Sequence, residues 1–149
     1  MKKTIALAAT AATVTAAAVA HGQSPPTTLH LVDHNTGFVF NDVKPKQLPK
    51  QTSLGDQLTI TGRLTGDRTG TSALLCTVIK PGKAGAELCE GVAHLSDGDI
   101  LFGGREEDND APGALGVTGG TGAYAGASGT IATKDGKHDT TIVTVTLSS

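Results

Sequence analysis

The chain has 149 residues, one domain's worth, with 20 glycines, 17% charged residues, a formal charge of −2 and four aromatics: Phe38, Phe40, Phe102 and Tyr124. So balanced a charge leaves no footprint for nucleic acid, and so few rings cannot build a base-stacking platform. The composition also excludes a coiled coil and a multi-span membrane protein.

Residues 1–20 read as a secretory signal peptide. Lys2 and Lys3 precede an uncharged, Ala-rich run from Ile5 to Ala20 that ends in the small-x-small pattern Ala18-Val19-Ala20. The run is too short and too poor in large apolar residues for a membrane span, so no span is expected once the signal is removed. A secreted, extracellular protein is the expectation. Removing two lysines takes the charge from −2 to −4, which suits solubility. Residues 21–27 form a flexible lead-in, and 28–149 the folded domain.

Thr28–Asp33 predicts a strand, Asn35-Thr36-Gly37 a turn, and Phe38–Val43 a second extended piece. Lys44–Ser53, with two prolines, is a loop. Gln57–Leu64 alternates: Leu58, Ile60, Gly62 and Leu64 share one face, Thr59, Thr61 and Arg63 the other. Period two marks a half-buried strand. Ala73–Lys80 and Ala86–Leu95 flank the turn signal Pro81-Gly82-Lys83-Ala84-Gly85 and form a hairpin. Asp97-Gly98-Asp99 turns into Ile100–Gly103, and Arg105–Gly113 is an acidic loop. Ala114–Thr118, Ser128–Thr133 and Thr140–Leu147 are strands, the last two joined by a turn over Lys134–Lys137 built on Asp135-Gly136. About eight short strands at regular spacing point to an all-β barrel or sandwich.

Cys76 and Cys89, the only cysteines, fall opposite each other on the two arms of the hairpin. In an oxidising compartment that placement favours a cross-strand disulfide over a buried thiol pair or a metal pair. The segment Thr118–Gly129 (TGGTGAYAGASG) superficially fits a dinucleotide fingerprint, but no helix follows it and no Gly-Lys-Ser/Thr completes a phosphate loop. It reads better as a bend where backbone passes close to backbone and Tyr124 covers the core.

Val117–Gly129 resembles the Gly-Gly-Thr-Gly-x-aromatic-x-Gly-x-x-Gly segment of the allene oxide cyclase and dirigent proteins. Leu54-Gly55-Asp56 before the strand Gln57–Leu64, the Cys76/Cys89 hairpin with Glu90-Gly91, and Leu101-Phe102-Gly103-Gly104 follow in the order of that family's secreted, bacterial-type members. The resemblance covers Leu29–Leu147. It implies an eight-stranded antiparallel, calycin-like barrel with an apolar cavity, a homotrimer in the plant members, and catalysis by positioning without a cofactor. Two activities come with it: closure of an unstable fatty epoxide, an isomerase reaction, and stereochemical steering of radical coupling. The family's first-strand carboxylate corresponds to Asp33.

The candidate catalytic residues are therefore Asp33, Arg63 and Glu90, and the candidate ligand-binding residues Phe38, Phe40, Phe102 and Tyr124. His30 and His34, spaced four apart around Asp33, read as surface histidines rather than metal ligands, and no metal is expected. Glu90 and His94 share a face of their strand, as a solvated polar face does. Two functions fit: a barrel that binds an apolar or reactive small molecule and steers its cyclisation or coupling, or a secreted binding or structural protein without chemistry.

Overall fold

Alternation of apolar and polar side chains sets the architecture, because a strand with one apolar face must bury it. The computed structural model describes residues 27–44, 52–107 and 113–148. The expected signal peptide, and the lead-in apart from its last residue, lie outside the described residues. The strands are β1 (Thr27–Asn41), β2 (Gln57–Gly66), β3 (Gly70–Lys80), β4 (Ala86–Leu95), β5 (Gly98–Glu107), β6 (Ala114–Gly120), β7 (Ser128–Asp135) and β8 (Thr140–Ser148). Each pairs antiparallel with the next, and β8 pairs with β1, so the sheet closes into an eight-stranded barrel. Closure removes the unpaired edges that an open sheet must protect. Among the described residues no helix is long and apolar enough to cross a membrane.

Three departures from the sequence reading shape the barrel. Asn35-Thr36-Gly37 is a bulge inside one continuous β1, because Asn35 pairs with Gly62 and Gly37 with Thr61, leaving Thr36 as the extra residue. Arg105–Glu107 is strand, not loop, as pairing with Leu88, Glu87 and Ala86 carries β5 past its glycines. β7 continues through Asp135, so the last hairpin turns over Gly136–Asp139, where His138 and Asp139 take left-handed backbone.

One end of the barrel is closed. Leu29, Leu31, Leu95, Ile100, Val117, Val145 and their neighbours fill it. Tyr124, in the 3-10 turn Gly122–Tyr124, caps this core, and its hydroxyl donates to Asp97 Oδ1 at 2.8 Å. The bend runs against the β4–β5 turn so closely that a Cβ on Gly122 would stand 2.4 Å from the Asp97 carbonyl oxygen. The expectation of tight backbone contact under a core-covering tyrosine thus describes what the structure has. Arg68 Nε donates to Asp97 Oδ2 at 2.7 Å, and these hydrogen bonds from Arg68 and Tyr124 hold the Asp97 carboxyl below its ordinary range.

Towards the other end the strands part around a cavity. Cys76 and Cys89 are directly opposite residues of β3 and β4, are joined as a disulfide, and pack with Leu115 against Leu58, Leu74 and Phe102. Asp56, just before β2, is buried: Val43 N–H donates to its Oδ1 and Ser53 N–H to its Oδ2. This carboxylate serves the backbone, fixing how the chain enters β2.

Candidate functional site

Side chains of all eight strands surround a cavity of about 250 Å³ between the closed end and the mouth. Its walls are mostly apolar, with Leu31, Leu64, Ile131 and Val145 shared with the core and Leu74, Phe102 and Leu115 above them. Three carboxylates also line it: Asp33, Glu106 and Asp135.

Asp33 faces the cavity because it continues the inward row Leu29, Leu31, Asp33 along β1. Ser72 Oγ on β3 donates to its Oδ2 at 2.5 Å. The strand between them, β2, contributes Gly62. A Cβ there would lie 1.7 Å from Asp33 Oδ1 and 2.7 Å from Ser72 Oγ, so the missing side chain is the space the carboxyl occupies. Asp33 Oδ1 is buried and has no hydrogen-bond partner. A buried acceptor without a donor is costly unless something else supplies one.

Glu106 completes the inward row Ile100, Phe102, Gly104, Glu106 on β5. It lies beside Thr133: a Cβ on Gly113 would be 2.6 Å from Glu106 Oε1 and 2.7 Å from Thr133 Oγ1. Burial pushes the Glu106 carboxyl above its ordinary value. A carboxyl that holds its proton more tightly when folded costs stability once it must ionise. Glu106→Gln should therefore stabilise the protein at pH 7 by less than about 1 kcal/mol, the group being half exposed and screened. The gain should vanish as pH falls through the unfolded value near 4.5. Melting curves of both proteins from pH 4 to 8 check this, and a gain independent of pH would contradict the assignment.

The remaining candidates separate. Phe102 lines the cavity, its ring laid over Gly91, where a Cβ would be 2.4 Å from the ring. Phe38 and Phe40 pair with Ile60 and Leu58 and so share the lumen-side face of the sheet. They lie beyond His34, the last β1 residue paired to β8, and are 67% and 47% exposed, on the rim of the mouth. Tyr124 is not at the cavity; it belongs to the closed end. Arg63 also falls outside, exposed on the outer face of β2, because lumen-facing Gly62 and Leu64 flank it. Glu90 is exposed on the outer wall beside an open groove with Leu88, Leu101 and Thr118. His34 faces outward, its Nε2 within 3.0 Å of Thr65 Oγ1, so Asp33 and its flanking histidines lie on opposite faces. His94 pairs with Asp99 on the surface. Among the described residues, the one group of metal-ligating types, Cys76, Glu87 and Cys89, has both sulfurs committed to the disulfide.

Sequence reasoning missed Ser72, Glu106 and Asp135. The signal for the two acids was parity: Glu106 follows Phe102 by four residues and Asp135 follows Ile131 by four, each on its strand's inward row.

No family model and no curated protein matches the chain. Solved structures do. The chain is similar to a pyocyanin demethylase (TM-score 0.71, 22% identity, 81% of this chain and 99% of that one). It is also similar to a pterocarpan synthase dirigent protein (0.62, 18%, 83% of each chain). A third is an exo-specific intermolecular Diels-Alderase (0.63, 13%, 85% of this chain and all of the other). The fold is thus the one that dirigent and cyclase barrels share.

Proposed function

We propose that this protein is a secreted barrel that encloses a compact, mainly apolar reactive molecule and steers its cyclisation or coupling without a cofactor. The observation that carries this reading is the cavity itself: a mostly apolar chamber in which one of three carboxylates, Asp33, is held by Ser72 on one oxygen and left open on the other. Such a chamber restricts the conformations of a flexible substrate, which supplies rate by orientation. Asp33 stands as the proton acceptor, a role that contributes about 10²–10⁴-fold in rate. The likeness to dirigent and Diels-Alderase barrels supports the class of chemistry.

Size narrows the substrate. A cavity of about 150 Å³ takes a benzene ring. At about 250 Å³ this one encloses a molecule of one or two rings, and a long-chain epoxide of the allene oxide cyclase type would have to extend through the mouth.

Native mass spectrometry of the secreted protein tests the reading. A small molecule released on unfolding is the expected result, and it should be absent from Leu74→Trp, which fills the chamber. Product formation from that molecule should fall about 10²-fold or more in Asp33→Asn. Unchanged turnover in Asp33→Asn would remove Asp33 from the chemistry, and a bound molecule that the wild-type protein leaves unchanged would make the barrel a carrier. The same spectra report subunit number, where a trimer is proposed by resemblance.

A further inference from the structure

The described residues lining the cavity include three carboxylates and no lysine, arginine or histidine. Hydrogen-bond donors are few. The Ser72 hydroxyl is already given to Asp33, leaving the Asn35 amide and the Thr133 and Thr141 hydroxyls. Asp33 Oδ1 receives no donor from the protein. The chamber therefore offers acceptors and negative charge and asks its occupant for donors and positive charge. An anion would meet uncompensated like charge in a low-dielectric space, and a neutral hydrocarbon would leave Asp33 Oδ1 unsatisfied. A cation answers both, and Phe102 in the wall, with Phe38 and Phe40 on the rim, adds ring faces that attract it.

We infer that the cavity selects a compact aromatic or alicyclic ligand of one or two rings bearing a positive charge or cationic N–H group, oriented by its contact with Asp33 Oδ1. This rests on the reading of the barrel as a small-molecule chamber and adds the charge of its occupant. The size of the lumen sets the ring count, and the orphaned oxygen sets where the charge lies.

Three probes of similar size separate the ideas: 2-naphthylmethylammonium, 2-naphthalenemethanol and 2-naphthoate, titrated into the intact protein at fixed ionic strength with cavity-lining NMR signals as readout. The expected order is the cation about tenfold or more tighter than the alcohol, with the naphthoate weakest, as a charge-assisted contact implies. An alcohol that binds as well as the cation would overturn the charge assignment and leave the chamber intact. Failure of all three to perturb the lining signals would overturn both. In Asp33→Asn the preference for the cation should shrink to near parity while the alcohol still binds. A preference that persists would overturn the role of Asp33. Should that variant not fold, Glu106→Gln with Asp135→Asn reads the same preference, which again should fall.

Discussion

Replacing Cys76 and Cys89 together with serine should lower the melting temperature by about 10–15 °C, using the sensitivity of a domain of this size. The bridge joins residues 13 apart and closes a short loop, worth about 3 kcal/mol in the chain-entropy model. A second cost adds to it. Both cysteines are buried, Cys89 completely, and two serine hydroxyls would replace a sulfur pair inside an apolar cluster with Leu115. Unpaired buried hydroxyls cost about 1–3 kcal/mol each, less if the two bond to one another. The damage should also reach the cavity. Leu74, Phe102 and Leu115 pack on the disulfide and line the chamber, so loosening one side of that wall should weaken ligand binding in the folded variant. Differential scanning calorimetry of both proteins, with alanine at the same positions as a companion, separates the cross-link from the hydroxyls. A melting temperature unchanged in both variants would show that the bridge does not support this wall.

Much of this arrangement was legible in the sequence, and the limits of legibility have physical causes. The period-two rows of β2 and the position of the cysteines about the Pro81–Gly85 turn dictated strands and pairing, because alternation and turn chemistry act locally. The direction of Arg63 is not readable from the sequence, although the opposite face of its strand, with Leu58, Ile60 and Leu64, is apolar. The outer wall of this barrel also carries Leu75, Leu88 and Leu101, each more than two-fifths exposed, so apolar character does not distinguish lumen from solvent. Glu106 and Asp135 were lost for the opposite reason. A carboxylate beside glycines looks like loop, and only closure of the barrel makes an inward row continue to the mouth. Ser72 becomes a site residue through contact with Asp33, 39 positions away, a separation no local pattern encodes. Tyr124 was assigned two roles, and the fold selects the structural one, because the bend that carries it packs at the end remote from the cavity.

Gly129→Ala should cost about 4 kcal/mol, combining backbone strain and steric conflict of about 1–3 kcal/mol each. Gly129 has φ +148°, and a Cβ there would stand 2.0 Å from the Thr146 carbonyl oxygen and 3.0 Å from Leu147 Cα. Backbone cannot rotate aside as a side chain can. Relief requires β7 to move from β8 where Gly129 pairs with both Leu147 and Val117, two residues of the core that Tyr124 caps. Gly116, one residue along β6 from Val117, provides the control. Its nearest neighbour to an added Cβ is the Gly103 oxygen at 3.6 Å, an ordinary contact, so Gly116→Ala should be close to neutral. Urea unfolding of the two variants compares them directly, and equal stabilities would refute the closure role given to Gly129. The contrast also bears on the glycine segment as a family-like feature. Its glycine at 129 is required by the approach of one strand to another and does not line the cavity. Gly62, outside that segment and with no unusual sequence context, is the glycine that leaves space in the cavity for Asp33. A motif therefore reports how the barrel closes, while the site depends on a residue whose significance emerges only when β1, β2 and β3 lie side by side.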